Sequence, residues 1–232
     1  MTSPSLSRTA VLLGSTGLIG SSLKQILKAD SSSFGRVTCL VRKSTENLAG
    51  NATNCQEEVV NFDSLERHAT LFNTDIVFCC LGTTIKAAGS KEAFRKVDFT
   101  YPLEAAKLLK KMNPNGHFIL VSSLGADAKS NVFYSKTKGE LENEISKLGL
   151  KQFTALRPSL LLGDRKENRP GEKAGAIAAI ILKPILIGPF KKYRPIAAES
   201  VAKAMRRISL ETGLSSTVFI ESNDIAQLAE RQ

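Results

Sequence analysis

The sequence predicts a doubly wound parallel α/β sheet of the Rossmann type with a small C-terminal lobe, and three observations carry that expectation. Short apolar runs of β type alternate with longer helical patterns as far as Leu156. Those runs are apolar throughout, as strands must be when helices cover both faces of a sheet. A glycine-rich turn, Gly14-Ser-Thr-Gly17-Leu-Ile-Gly20, follows the first run and opens the first helical pattern.

In order, Thr9–Leu13 reads as the first strand, and Ile19, Leu23, Ile26 and Leu27 share one face of the helix after it. Val37–Val41 is the second strand, Glu58–Val60 the third and Asp75–Leu81 the fourth. One long helix follows, Lys91 to Met112, with Ala93, Phe94, Val97, Tyr101, Ala105 and Leu108 inward. His117–Val121 is the fifth strand, Val132–Leu148 a helix and Gln152–Leu156 the sixth strand. After Arg157 the rhythm changes to a polar loop, Leu160–Lys173, and an apolar helix, Ala174–Leu182, that stops at Pro184. Ser200–Leu210 is a further helix, Thr217–Ile220 a last strand and Asp224–Glu230 a closing helix. The whole reads as one domain: a dinucleotide-binding core over residues 1–156 and a substrate-side lobe over 157–232.

With 232 residues, 42% hydrophobic and 23% charged, a disordered or collagen-like chain is excluded. The cysteines, Cys39, Cys55, Cys79 and Cys80, show neither disulfide-framework nor zinc spacing, and His68 and His117 lie far apart, so no metal is expected. Adjacent Cys79 and Cys80 should point to opposite faces of a strand as buried thiols, which suits a cytoplasmic protein. The N-terminus lacks the pattern of a secretory signal. The longest apolar stretch, Ala174–Phe190, is broken by Lys183-Pro184 and is too short for a bilayer, which takes ~20 residues.

Charge is the unusual figure: 32 Lys and Arg against 22 Asp and Glu, a net +10. Nucleic acid, a membrane surface and anionic small molecules all become candidate partners. Between Arg165 and Arg194 stand Arg165, Lys166, Arg169, Lys173, Lys183, Lys191, Lys192 and Arg194 against Glu167 and Glu172. Phe190 and Tyr193 are the aromatic residues of that stretch, so base stacking is poorly served and nucleic acid is not the expected partner. Membrane-surface contact through the flanked apolar run is weighed below a helix covering the substrate cleft or a homodimer contact.

A glycine turn between strand and helix lets the backbone approach a pyrophosphate, whose charge then sits at the helix N-terminus. The residues concerned are Gly14, Ser15, Thr16, Gly17, Leu18, Ile19 and Gly20. Taken alone, three glycines also make an ordinary tight turn. About 20 residues on, an NAD-type site carries an acidic residue for the ribose 2′-hydroxyl. Arg42-Lys43 stands there instead, and a guanidinium grips a 2′-phosphate where a carboxylate would repel it. NADP(H) is therefore the expected cofactor, against the plainer reading of a solvated strand end. Asp63 either contacts the adenine amino group or caps the next short helix.

Tyr134-Ser-Lys-Thr-Lys138 places a phenol and an ammonium on one helix face. A nearby ammonium favours the phenolate, which brings the phenol towards proton exchange with a carbonyl or an alcohol while hydride moves at nicotinamide. Ser122-Ser123 ends the fifth strand, where strand ends face the ligand of an open α/β sheet. The Ser123 hydroxyl would hydrogen-bond the reacting oxygen beside Tyr134. By itself either motif is an ordinary helix face or turn; together and in order they carry weight.

These segments resemble the atypical, extended-like short-chain dehydrogenases/reductases, in the group of the animal Tat-interacting oxidoreductase and its small bacterial relatives. FCCLGTT (Phe78–Thr84), VSSLGAD (Val121–Asp127), YSKTKGE (Tyr134–Glu140), LRPSLLLGDRKENRPGE (Leu156–Glu172) and YRPIAAESVAKAM (Tyr193–Met205) carry the resemblance. It implies that Gly14 to Gly20 bind the pyrophosphate and Arg42 the 2′-phosphate, and that Leu81, Gly82 and Thr83 line the ribose and nicotinamide. It further implies a catalytic set of Ser123, Tyr134 and Lys138, with Lys138 also on the nicotinamide ribose, and cofactor contacts from Leu161 and Arg169. Asp98 stands where the family often has Asn, which puts a proton relay through that position in doubt. The short C-terminal lobe leaves little room for a nucleotide-sugar.

The expected function is hydride transfer between NADP(H) and a small carbonyl or alcohol, with an anionic substrate favoured by the basic segment. The alternative is a non-catalytic NADP(H) sensor or scaffold that regulates a protein partner. Retention of both Tyr134 and Lys138 weighs towards catalysis.

Overall fold

A computed structural model describes residues 7–44, 54–162, 193–211 and 216–231. Seven strands of these residues form one parallel sheet: β1 (Arg8–Leu13), β2 (Phe34–Val41), β3 (Cys55–Val59), β4 (Ile76–Cys79), β5 (His117–Val121), β6 (Gln152–Arg157) and β9 (Thr217–Glu221). Their spatial order is β3-β2-β1-β4-β5-β6-β9, so the chain winds outward from β1 in one direction and then from β4 in the other. Two short strands, β7 (Leu161–Leu162) and β8 (Ile196–Ala197), pair separately.

The apolar runs work as two-sided strands. Ala10 and Leu12 of β1 enter one core while Val11 and Leu13 enter the other, and β4 divides in the same way, Ile76 and Phe78 against Val77 and Cys79. The first core is closed by α1 (Leu18–Ala29) and α6 (Ala198–Leu210), through residues such as Leu23, Leu27, Val201 and Met205. Its opposite number is closed by a 3-10 helix (Phe62–Phe72), α4 (Tyr101–Met112) and α5 (Phe133–Lys147), through Leu65, Leu109 and Leu141. Helices therefore lie on both faces, as a doubly wound sheet requires. Cys79 and Cys80 do face opposite cores. The C-terminal part is fastened to this sheet, since β9 pairs with β6 and α7 (Ser222–Glu230) packs against α6.

Several elements differ from the sequence expectation: β2 begins at Phe34 rather than Val37, β4 spans only Ile76–Cys79, and β7 lies within the expected Leu160–Lys173 loop. The third strand runs Cys55–Val59 rather than Glu58–Val60, because Asn54 anchors its start by donating from its side chain to the Leu27 and Phe34 carbonyls. The long helix is present over its expected span, but as α3 (Lys91–Arg95), a π-helical turn (Lys96–Thr100) and α4. Pro102 explains the break: it has no N–H for the carbonyl of Asp98 one turn back, so the helix widens just before it. The Tyr101 N–H reaches back to the Lys96 carbonyl, the longer loop of a π turn. A short helix absent from the expectation, α2 (Ile85–Ala88), is capped by Thr84. The expected Ala174–Leu182 helix lies outside the described residues. Among those residues no helix is long and apolar enough to cross a membrane.

Candidate functional site

β1 and β4 lie side by side while their chains continue in opposite directions, which opens a crevice at their C-terminal ends. The glycine turn fills the β1 side of it. Gly14 has φ +81°, and a Cβ there would sit 2.6 Å from the Cys80 carbonyl oxygen beyond β4. Gly20, in the first turn of α1, leaves still less room: its Cβ would lie 2.0 Å from the Gly14 carbonyl oxygen. Glycine is required at both places, in the first for backbone conformation and in the second for close approach.

α1 begins at Leu18 with Gly17 as its cap, and among the described residues no side chain caps it and no acidic residue occupies its first turn. Its leading N–H groups and positive dipole end are thus available to an anion. Ser15 is buried, and its hydroxyl is one of three buried side-chain polar atoms without a partner among the described residues. Open N–H groups, an orphaned hydroxyl and two glycines pressed to the backbone fit a dinucleotide pyrophosphate. Arg42 and Lys43 follow the end of β2, exposed to solvent.

The second wall comes from β4, β5 and α5. Leu81, Gly82 and Thr83 leave β4 as irregular chain, with Gly82 exposed. Ser122 and Ser123 leave β5; the Ser122 hydroxyl is buried without a partner among the described residues, and Ser123 donates to the Leu124 carbonyl at 3.1 Å. Tyr134 and Lys138 lie one turn apart in the first half of α5. The half-buried Tyr134 ring packs against Phe94 of α3, centroids 5.7 Å apart.

Lys138 is only 3% exposed, and its ammonium lies 2.8 Å from Asp98 Oδ1. The other oxygen of Asp98 accepts the Thr83 N–H at 2.8 Å. Burial alone would lower the pKa of the ammonium; the Asp98 charge, with Tyr134 adding to it, outweighs burial and holds it above the ordinary lysine value. Cys79, beside this pair, has its thiol pushed up to about 12 by burial and stays neutral. Asp98 is the site residue whose contact was not legible beforehand. Its signal was present, a proline four positions later inside an otherwise regular helical pattern.

Asp63 lies apart from this cluster. Its backbone N–H is capped by the Asn61 side chain, so the capping role belongs to Asn61. The Asp63 carboxylate accepts from Lys96 and from the Tyr101 hydroxyl, each at 2.6 Å, and Lys96 above all, then Tyr101, holds its pKa below the usual value. A cavity of about 570 Å³ opens there, lined by Asp63, Glu66, Lys96 and Tyr101 among others and not by Ser123, Tyr134 or Lys138. Leu161 is half-buried in the small β7–β8 pair, and Arg169 lies outside the described residues together with all of the basic segment except Arg194.

The parallel sheet with a glycine turn at its point of reversal has the form of a nucleotide-binding, oxidoreductase-like fold. A family model described as NAD(P)H-binding matches residues 14–208, and the chain belongs to that family as an atypical short-chain dehydrogenase/reductase. It is similar to Protein HTATIP2 of Rattus norvegicus, 38% identical over 167 residues, 71% of this chain and 67% of that protein. Protein FMP52, mitochondrial, of Candida albicans is 36% identical over 159 residues, 68% of this chain and 69% of that one. Among solved structures, UDP-N-acetylglucosamine 4-epimerase from Bacillus cereus superposes with a TM-score of 0.67 at 18% identity, covering 95% of this chain and 84% of the enzyme. Bordetella bronchiseptica WbmH in complex with NAD+ does so with 0.65 at 15% identity, covering 92% and 75%. At such identities the likeness is one of fold.

Proposed function

We propose that this protein is an NADP(H)-dependent oxidoreductase acting on a small carbonyl or alcohol, through Ser123, Tyr134 and Lys138. The observation that carries the reading is Lys138, an ammonium buried one helical turn from a tyrosine at the strand ends. Burying a charge costs several kcal/mol even when it is paired, and cofactor binding by a glycine turn does not require it. Chemistry at the substrate oxygen does.

When bound, the nicotinamide would supply the hydride to a substrate carbonyl carbon, or accept it from an alcohol. In reduction Tyr134 would give its hydroxyl proton to the substrate oxygen and be reprotonated from solvent. Ser123 holds the reacting oxygen by a hydrogen bond. Lys138 keeps donors for the nicotinamide ribose, because one of its three N–H groups serves Asp98. Gly14 to Gly20 hold the pyrophosphate, Arg42 the 2′-phosphate and Asp63 the adenine side. Leu81 to Thr83, Leu161 and Arg169 complete the cofactor's walls. An anionic substrate is favoured by the basic segment that contains Arg169. Free thiols at Cys79 and Cys80, the first buried and the second half-buried, suit a reducing compartment, the cytoplasm or the mitochondrion that the name of the yeast relative gives for it.

Fluorescence titration with NADPH and NADH tests the cofactor, and NADPH consumption over a panel of carbonyl compounds tests the chemistry. NADPH should bind at least ~10-fold more tightly, about 1.4 kcal/mol, and Arg42→Ala should erase the preference. Tyr134→Phe should keep NADPH binding and lower kcat by ~100-fold or more. Equal affinity for both cofactors defeats the NADP(H) assignment. Turnover that survives Tyr134→Phe defeats the mechanism, and binding without any turnover favours a sensor.

A further inference from the structure

Asp98 belongs to the π turn and reaches two other elements, one with each oxygen. Oδ1 faces the Lys138 ammonium of α5, and Oδ2 accepts the Thr83 N–H of the turn after β4, each at 2.8 Å. Asp98 is 1% exposed and Lys138 3%, so water has little access to stand in for either contact. Both partners are donors, and a carboxylate meets two donors with two acceptor atoms. An asparagine side chain has one acceptor atom, so it would turn an N–H towards one of the two. The family often has Asn at this position, and Asn could not hold both.

Gly82, next to Thr83, lies against the same pair. A Cβ there would stand 3.5 Å from Asp98 Oδ1 and 4.0 Å from Lys138 Nζ, and beyond its chain neighbours no other atom of the described residues comes within 4 Å. Those are ordinary van der Waals distances, and Gly82 is not among the glycines of positive φ. Neither packing nor backbone conformation therefore requires glycine here, unlike at Gly14 and Gly20. Gly82 is exposed, so its missing side chain leaves room beside the buried ion pair.

We infer that Asp98 is a positioning residue: it clamps the Thr83 N–H and the Lys138 ammonium together beside the open face of Gly82, and so builds the seat of the nicotinamide ribose. One N–H of Lys138 serves Asp98, and the ammonium has two more to offer the ribose hydroxyls. The clamp stands on the two distances; its ligand rests on the function proposed above.

The clamp is tested without cofactor. In Asp98→Asn the charged ammonium should take the one remaining oxygen, leaving the Thr83 N–H without an acceptor. Its exchange with deuterium, read by NMR, should then be ~10-fold faster or more than in wild type. The seat is tested by calorimetric titration with two probes, NADPH and adenosine 2′,5′-bisphosphate, which lacks the nicotinamide ribose. Asp98→Asn should bind NADPH ~10-fold or more weakly, yet bind the bisphosphate within ~2-fold of wild type. Gly82→Ala, whose methyl would fill the seat, should show the same split. Glu140→Gln breaks the 2.6 Å Arg95–Glu140 pair, which joins α3 to α5 through other side chains, and should leave both affinities unchanged.

Unchanged Thr83 exchange in Asp98→Asn overturns the inference. Equal weakening of both probes, or the same split in Glu140→Gln, also overturns it, because Asp98 would then only join helices. If Asp98→Asn does not fold, Gly82→Ala decides: NADPH bound as tightly as by wild type overturns the seat. Wild-type protein that binds neither probe defeats the proposed function, and the seat falls with it. Wild-type protein that binds both, with variants that bind alike, defeats this inference alone.

Discussion

Arg157–Glu142 and Lys138–Asp98 are both ion pairs of α5 with a buried carboxylate, the first cation half-buried and the second buried, and they are built on different plans. The Arg157 guanidinium meets Glu142 through two N–H groups, at 3.0 and 2.6 Å, and Glu221 through a third at 3.1 Å. Glu142 first, with Glu221 adding to it, drives the arginine pKa further above its usual high value against the opposing effect of burial. α5, β6 and β9 are joined by that one fork. Among the described residues Lys138 has a single carboxylate partner, and an ammonium has three donors. A planar fork saturates itself and fixes structure; a point charge keeps donors to offer a ligand.

Removing the cation from each pair is the strongest way to break this contrast. Arg157→Met strands Glu142, whose side chain is 2% exposed, and should cost about 3–5 kcal/mol in urea unfolding, with kcat unchanged in the folded protein at low temperature. Lys138→Met strands Asp98 and should cost a similar amount, but with turnover lost even where the protein is folded. A folded Arg157→Met without activity, or an active Lys138→Met, would erase the distinction.

His117 sharpens the contrast from the other side, because it is buried without a counter-ion among the described residues. Its Nε2 lies 2.9 Å from Thr154 Oγ1, and burial, with Arg8 adding to it, pushes its pKa down to about 4. An unfolded chain titrates it near pH ~6.5 and takes up a proton that the folded protein declines. Stability is therefore complete above about pH 6.5 and falls towards pH 4, by about 3 kcal/mol. The difference between wild type and His117→Gln unfolding free energies over that range should show it; parallel curves would mean that the imidazole accepts its charge in place. The smallest effect belongs to Arg157→Lys, which keeps the charge and loses the fork. It should cost about 1.5 kcal/mol in the same unfolding assay.

The sheet was legible because a strand covered on both faces must be apolar along most of its length, and AVLL, IVFC and FILV are. The glycine turn was legible because its function lies in missing side chains, which a sequence states directly. The third strand was harder: CQEEV at the sheet edge is mostly polar, so periodicity placed it late. Lys138 could be named from its spacing to Tyr134 within one helix. Its partner could not, since Asp98 comes from another helix and the pairing depends on a turn widened by Pro102. Local chemistry is written in spacing; a contact across elements depends on how two helices are wound.

The strand order also bears on how the chain is made. β1 is made before the other described strands and ends in the middle of the sheet, while β9, which completes the β6 edge, is made after them. A nascent or truncated chain lacking β9 would already hold its glycine turn and Tyr134. It would also present β6 as an open strand edge, with Phe153 stripped of the Phe219 ring that packs on it. Aggregation, rather than loss of the glycine turn, is then the hazard that loss of β9 brings to this fold.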